Sequence, residues 1–260
     1  MSFATLLTER RGSTAIVTLN RPDRRNALSP ALVADLDQAV RELAADATVR
    51  TIILTGAGAA FSAGADLATL QAIAARSYQE NRADSGRLAE LFDRIQRSPK
   101  PVIAAVNGPA VAGGCGLATI ADLTIASEAA FFCYSEVRIG FIAAIVMVSL
   151  CRIVGDKRAR DLLLTGRKLA PHEALQMGLV NEVVPAAELV PRCLALADEL
   201  AKGSPASLAL TKEMLVDLPG KSTADALGYA ADMNARTRAT ADCQEGIAAF
   251  LEKRPPRWQS

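Results

Sequence analysis

The 260-residue sequence has one histidine, His172, and no closely spaced cysteine pair. Protein zinc sites need several histidine or cysteine ligands, so the sequence predicts no metal site. The five cysteines are odd in number and lack C-x-x-C spacing. This usage is typical of reduced thiols in a cytoplasmic protein rather than of a secreted disulfide framework. A Gly-x-Ser-x-Gly motif is also missing, which argues against a serine hydrolase.

Long apolar runs are absent as well. The longest, residues 141–148, is much shorter than the roughly 20 residues that a membrane-spanning helix needs. The first residues, MSFATLLTERRG, lack the apolar segment of a signal peptide. We therefore expect neither membrane insertion nor secretion.

Charge of one sign is not in excess. Lys and Arg number 29 against 28 Asp and Glu, which gives a net charge of +1, and aromatic residues make up only 4% of the chain. No RRM or KH motif is present, so the sequence argues against a nucleic-acid partner. Four short basic clusters nevertheless occur: Arg10-Arg11, Arg24-Arg25, 157–160 and Lys253-Arg254.

Hydrophobic periodicity predicts an α/β fold that ends in helices. Three short apolar runs are typical of buried strands: 15–19, 51–55 and 101–106. Residues 29–45 are typical of a helix capped by Ser29, and residues 85–97 repeat its apolar spacing. The polar residues 74–86 are predicted to form a mobile loop. Beyond residue 186 only helices are predicted: 187–202, 205–216, 222–238 and 241–252.

Two glycine-rich turns follow predicted strands. The first, residues 54–67, has small residues at 63–65, which let a ligand approach the backbone closely. The second, residues 106–117, precedes an apolar run that we expect to begin a helix, where unpaired N–H groups suit an oxyanion. Phe61 replaces the third glycine of a dinucleotide fingerprint, so that site is rejected. Taken singly, such turns more often reflect tight packing than ligand binding.

Several motifs that occur together along the chain give a much more specific indication than either glycine-rich turn alone. The motifs are residues 18–28 (TLNRPDRRNAL), 62–66 (SAGAD), 106–108 (VNG), Gly113-Gly114, Thr165-Gly166, Ala174-Leu175, 178–181 (GLVN) and 245–254 (EGIAAFLEKR). In order and spacing they resemble the enoyl-CoA hydratase/isomerase (crotonase) family over essentially the whole chain, and agreement of many motifs is far stronger evidence than any one of them.

The resemblance implies a crotonase-like spiral of ββα units with a C-terminal helical oligomerisation region. Residues 1–190 would form the spiral core with the CoA and active site, and residues 191–260 would mediate trimer formation. The expected partners are an acyl-CoA thioester and other copies of the chain, in a homotrimer or a dimer of trimers. No cofactor is expected, because coenzyme A is part of the substrate.

By the same resemblance, the thioester carbonyl would lie between the N–H of Ala65 and the N–H of Gly113. Two preorganised donors would stabilise the negative charge that develops on the thioester oxygen. Asp66 is expected to fix the turn by accepting backbone hydrogen bonds. For Arg24 and Arg25, the alternative to a role in CoA binding is a position on an exposed, solvated turn. The residues implied in substrate or CoA binding are Arg24, Arg25, Ala63, Gly64, Asp66, Phe250 and Lys253.

The acid/base residues leave the reaction open. Hydratases of this family commonly use two glutamates that hold a water molecule; Glu136 matches the second position, and Gly116 replaces the first. A single carboxylate suits double-bond isomerisation, with a pKa raised by burial. Some relatives hydrate with one glutamate, so hydration stays open. Acyl-CoA hydrolysis, decarboxylation or C–C cleavage, and RNA binding as in one branch of the family, are further alternatives.

Overall fold

The computed structural model describes residues 3–73 and 75–258. The strands are β1 Leu6–Arg11, β2 Thr14–Leu19, β3 Thr51–Gly56, β4 Val102–Val106, β5 Ala110–Val111, β6 Leu123–Ser127, β7 Phe132–Cys133 and β8 Glu182–Val184. The helices are α1 Pro30–Ala45, α2 Leu67–Ile73, α3 Tyr78–Arg97, α4 Gly113–Ile120, α5 Ala144–Val154, α6 Asp156–Thr165, α7 Pro171–Gln176, α8 Leu189–Ala201, α9 Pro205–Asp217, α10 Thr223–Arg238 and α11 Ala241–Glu252. The predicted α/β class and the four C-terminal helices are confirmed.

A six-stranded sheet organises the fold, in the order β1-β2-β3-β4-β6-β8. β1 runs antiparallel to β2, and the other neighbours are parallel. Every residue of β3 and β4 is buried, which is characteristic of parallel strands covered on both faces. The carboxyl ends of these two strands lead into the two glycine-rich turns, so the sheet brings the turns to one edge.

Apolar side chains cover both faces of the sheet. The larger cluster lies where α1, α3 and α4 pack. On the other face, Cys193 and Ala197 of α8 pack against strand residues such as Ile53 and Ile103. The predicted division of the chain after residue 190 falls within α8 and stays a prediction.

The prediction of a loop over residues 74–86 is wrong from Tyr78 onward, because α3 begins there; residue 74 lies outside the described residues. A capping box joins Ser77 and Glu80 at the start of α3. Arg87 pairs with Asp84 one turn away at 2.6 Å. Capping and charge pairs stabilise a helix segment that has no apolar stripe.

The C-terminal helices are tied to the sheet region by a buried ion pair. Lys212 of α9 pairs with Asp122, which precedes β6, and its Nζ also donates to the carbonyl oxygen of Lys100 at 3.1 Å. The Asp122 carboxylate accepts the N–H of Val102 at the start of β4, at 2.7 Å. Of the helices in the described part of the chain, none has both the length and the apolar character needed to cross a membrane.

Candidate active site

Asn26 joins the turn at residues 21–28 to the first glycine-rich turn. Its side chain is fully buried and its Oδ1 accepts the N–H of Arg21 at 2.9 Å. Its Nδ2 donates to the carbonyl oxygens of Ala57 and Ala60, at 2.9 and 2.8 Å. The Asn26 backbone has a φ of 54°, in the left-handed region that asparagine tolerates better than most residues. These bonds fix the two turns against each other.

The peptide at Ala65 is held by Leu28. The N–H of Leu28 donates to the carbonyl oxygen of Gly64 at 2.6 Å, and the N–H of Asp66 donates to the carbonyl oxygen of Leu28 at 3.3 Å. This parallel bridge leaves the N–H of Ala65 on the side away from Leu28. Within residues 3–73 and 75–258, that N–H has no hydrogen-bond acceptor, so it is free to bind a ligand.

Gly113 is the first residue of α4, four residues earlier than the sequence predicts the helix. The N–H of Gly116 makes the first hydrogen bond of the helix, to the carbonyl oxygen of Ala112 at 3.0 Å. The N–H of Gly113 lies ahead of that bond and has no acceptor among the described residues. An unpaired N–H at a helix start carries partial positive charge.

The turns that carry these two N–H groups pack directly on each other. A Cβ at Gly64 would lie 2.7 Å from the Cβ of Ala112, and φ at Gly64 is +84°. A Cβ at Gly114 would lie 2.5 Å from the Cβ of Ser62. The N–H of Val111 also donates to the carbonyl oxygen of Ser62 at 2.9 Å. Glycine is therefore required at both positions, and the two turns that carry Ala65 and Gly113 lie in direct contact.

Glu136 begins a short 3-10 turn that is separated from β7 by two residues. The carbonyl oxygen of Cys133, at the end of β7, accepts the N–H of Ala112 at 2.7 Å, so this segment adjoins the start of α4. The Glu136 side chain is 9% exposed, and its Oε2 is buried without a hydrogen-bond partner in the described part of the chain. Burial raises the pKa of Glu136, although its own backbone N–H partly opposes the shift. A buried carboxylate with a raised pKa suits proton transfer.

Gly116 lies in a close contact that the sequence did not reveal. A Cβ at this position would lie 2.8 Å from both Cε2 and Cζ of Phe92, and 3.5 Å from the Cβ of Val146. All three residues are buried. The position at which the resemblance places the first glutamate of two-glutamate hydratases is therefore closed by the edge of an aromatic ring.

The residues predicted to bind the coenzyme fall into two groups. Ala63 donates its N–H to the carbonyl oxygen of Arg25 at 2.9 Å, so the structure brings Arg24, Arg25, Ala63 and Gly64 together. The arginine side chains are exposed. This exposure is equally consistent with the solvated turn that the sequence left as the alternative, and the roles of these residues stay predictions.

Asp66 accepts the N–H of Ala68 at 3.0 Å and pairs with Arg21 at 2.9 Å. Burial alone would raise its pKa, but the hydrogen bonds from Arg21 and Ala68 outweigh burial and hold the pKa of Asp66 below its usual value. The predicted turn-fixing hydrogen bond is confirmed. Arg21 was not predicted, although it lies within the motif at residues 18–28.

Phe250 and Lys253 lie at the end of α11, which packs on α9 and α10. Phe250 is 83% exposed, and Lys253 ends the helix with a φ of 54°. Among the described residues, no hydrogen bond or ion pair links the Lys253 side chain to the 21–28 turn. Their contact with coenzyme A from a neighbouring subunit stays a prediction.

Within residues 3–73 and 75–258, no group of three or more acidic, histidine or cysteine side chains is arranged so that it could hold a metal ion. His172 is exposed near the start of α7.

Comparison with known proteins gives consistent matches. The sequence model of the family described as enoyl-CoA hydratase/isomerase matches residues 9–260. A Thermus thermophilus protein named "Putative enoyl-CoA hydratase" is 52% identical, over 95% of this chain and 98% of that protein. The crystal structure of an enoyl-CoA hydratase from Mycobacterium smegmatis has a TM-score of 0.92 and 35% identity, over 98% of this chain and 99% of that one. One from Shewanella pealeana has a TM-score of 0.94 and 31% identity, over 98% and 96%. The predicted crotonase-like fold is confirmed.

Proposed function

The chain belongs to the enoyl-CoA hydratase/isomerase family, and on that premise we propose that it shifts the double bond of an enoyl-CoA thioester. In a 3-enoyl thioester, the Glu136 carboxylate takes a proton from C2, and the electron pair spreads onto the thioester oxygen. The same residue returns the proton to C4, which leaves the double bond between C2 and C3. The reaction needs no cofactor beyond the coenzyme A that the substrate carries.

The N–H groups of Ala65 and Gly113 would stabilise the enolate. Both are without acceptors among the described residues, and both lie on turns held in place by close backbone packing. Donors that are fixed before the charge develops need no reorganisation during the reaction, and loss of one typically costs about 10²–10³ in rate. Because both donors belong to the backbone, an ordinary side-chain substitution does not remove them.

The buried, unpartnered Oε2 of Glu136 is the observation that carries the proposal. A buried carboxylate without a hydrogen-bond partner is costly, and burial raises its pKa. Such a group is poised both to accept and to return a proton. One acid/base residue is sufficient for isomerisation, because the proton that is removed is the proton that is returned.

Water addition is the second candidate, favoured by the name of the 52% identical relative. Hydration would require Glu136 to activate a water molecule and to protonate C2 without a second glutamate. The glycine at position 116 and the ring of Phe92 beside it provide no polar group for that water.

Product analysis separates the two candidates. The wild-type protein and Glu136→Gln would be incubated with 3-hexenoyl-CoA and with crotonyl-CoA, and the products would be identified by chromatography and mass. We expect wild-type conversion of 3-hexenoyl-CoA to the 2-enoyl product, and loss of at least about 10²-fold in Glu136→Gln. Hydration of crotonyl-CoA without isomerisation would reject the double-bond shift, and full activity of Glu136→Gln would reject Glu136 as the base.

We further propose that the chain assembles as a homotrimer or a dimer of trimers. Large apolar side chains are unusually exposed near the site and on α11, and such patches favour association: Ile139, Ile142, Val148, Phe250 and Leu251. Light scattering on the protein as it elutes from a size-exclusion column would give the number of copies; a monomer at micromolar concentration would contradict this assembly.

A cytoplasmic location, favoured by five free cysteines, stays a prediction.

A further inference from the structure

We infer that Phe92 determines reaction specificity, because its ring fills the space beside Gly116 and keeps water and a second acidic side chain away from the substrate. The inference rests on the proposed function, since it concerns which reaction follows enolate formation. It adds a residue of α3 to a catalytic centre for which the sequence predicted Ala65, Gly113 and Glu136.

The first step of the argument is the contact itself. A Cβ at Gly116 would lie 2.8 Å from two ring carbons of Phe92, a distance at which one of the groups must move. Phe92 is 4% exposed, and its neighbours on α3, Leu91 and Ile95, are also buried. The ring has little freedom to move aside, because packed interiors contain few voids. Ring and glycine are therefore a matched pair: any side chain at 116 displaces the ring.

The second step places this pair near the acid/base residue. Gly116 is three residues after Gly113 on α4, so it lies about 4.5 Å further along the helix axis and on a neighbouring part of the same face. The hydroxyl of Tyr134, two residues before Glu136, lies 2.7 Å from the Thr119 hydroxyl on the same helix. The ring of Phe92 thus packs on the helix that begins with the Gly113 N–H and that adjoins the segment carrying Glu136.

The third step is chemical. A water molecule held for attack needs two or more polar partners, and a phenyl ring next to a glycine supplies none. An enolate formed beside Glu136 then has one source of protons, the protonated Glu136 itself. Water addition is suppressed and return of the proton is favoured, which gives isomerisation.

The test uses single and double variants at the two positions, each checked for folding by circular dichroism: Phe92→Ala, Gly116→Glu and Phe92→Ala/Gly116→Glu. Hydration of crotonyl-CoA and isomerisation of 3-hexenoyl-CoA would be measured for each. We expect the double variant to hydrate about 10²-fold faster than the wild type, because a second acid/base group gains room. Each single variant is expected to stay within severalfold of the wild-type hydration rate.

A matched control tests whether the effect belongs to Phe92. Leu91→Ala/Gly116→Glu removes a neighbouring buried side chain from α3 but leaves the ring in place, so it is expected not to gain hydration. Equal hydration in Gly116→Glu alone, or in the Leu91 control, would overturn the inference. A folded Phe92→Ala/Gly116→Glu variant that hydrates no faster than the wild type would also overturn it.

A stability cycle keeps the inference testable if the glutamate variants do not fold. Gly116→Ala adds only the Cβ and would be made in the wild type and in Phe92→Ala. We expect the substitution to lower the melting temperature in the wild type and to leave it unchanged or raise it in Phe92→Ala, because alanine favours helix more than glycine does. Equal shifts in both backgrounds would contradict the claim that the Phe92 ring occupies the space that a side chain at position 116 needs. This cycle measures only whether a side chain at position 116 fits beside the ring, so its result is independent of the proposed function. The proposed function fails instead if Glu136→Gln retains isomerisation.

Discussion

Arg21 and Asp66 form an ion pair, with 2.9 Å between Nη2 and Oδ2, immediately after the peptide that carries the Ala65 N–H. Arg21 also donates through Nη1 to the carbonyl oxygen of Ala27 at 2.6 Å. The pair therefore links the 21–28 turn to the first glycine-rich turn, next to the proposed oxyanion donor. Neither side chain needs to contact the reacting atoms to influence the rate, because the position of the Ala65 peptide depends on both.

Substitution of Asp66 should lower the turnover rate by displacing that peptide. We expect Asp66→Ala, which loses both the ion pair and the hydrogen bond from Ala68, to reduce kcat by about tenfold to 10²-fold with a smaller change in KM, since small misplacements of catalytic groups have large effects. Asp66→Asn, which keeps the shape, should be intermediate. Asp156→Ala, which breaks the exposed Arg160–Asp156 pair, is the control. Unchanged kcat in folded Asp66→Ala would show that the pair does not position the donor.

The pH dependence of isomerisation should report Glu136. Burial raises its pKa above the ordinary value of 4.5, and the base must be deprotonated to act. We therefore expect kcat/KM to fall as the pH falls through the raised pKa, with the midpoint of this acidic limb above 4.5. A pH series of initial rates with 3-hexenoyl-CoA measures this midpoint. A midpoint at or below the ordinary value would contradict the buried base.

The same carboxylate should destabilise the fold at neutral pH. Between the ordinary pKa of glutamate and the raised pKa of Glu136, the folded protein binds more protons than the unfolded chain, so the free energy of unfolding decreases as the pH rises through this interval. Glu136→Gln removes the effect. We expect it to raise the free energy of unfolding at pH 7, with the gain disappearing below the ordinary glutamate pKa. Denaturant titrations at the two pH values measure the difference, and equal or lower stability of Glu136→Gln at pH 7 would contradict it.

Breaking the Lys212–Asp122 ion pair should loosen the C-terminal helices. Lys212 is 6% exposed, and removal of one partner of a buried pair costs about 3–5 kcal/mol. We expect this loss in Lys212→Met, and partial recovery in Lys212→Met/Asp122→Asn, where no unpaired charge is left. Urea titration measures both. Arg236→Met breaks the exposed Arg236–Glu213 pair and should cost less than about 1 kcal/mol; equal losses in the two single variants would contradict the argument.

Local pattern was sufficient to predict β2, β3, β4 and most helices, but β1, β5, β6, β7 and β8 were not predicted. β3 and β4 are continuous apolar runs, and α1 combines the predicted Ser29 cap with buried residues at helical spacing. The first half of α3 was missed, since capping and charge pairs stabilise it instead of an apolar face. Periodicity detects burial, so a polar helix segment escapes it.

The site was predictable only in part. Glycine motifs and the resemblance identified Ala65, Gly113 and Glu136, and the structure brings their segments together. The spacing of α3 predicted that Phe92 would be buried, but its partner, Gly116, depends on how α3 packs on α4. The free Ala65 N–H likewise depends on pairing with Leu28, a contact between segments distant in the sequence. Tertiary contacts of this kind leave no local pattern.

The central claim is that two main-chain amides converge beside one carboxylate. A crystal structure of the protein with a bound, slowly reacting acyl-CoA tests it most directly. The claim predicts a thioester oxygen about 2.7–3.1 Å from the nitrogens of both Ala65 and Gly113, with a Glu136 carboxylate oxygen next to the α-carbon. A thioester oxygen bound by neither amide, or an α-carbon remote from Glu136, would contradict it.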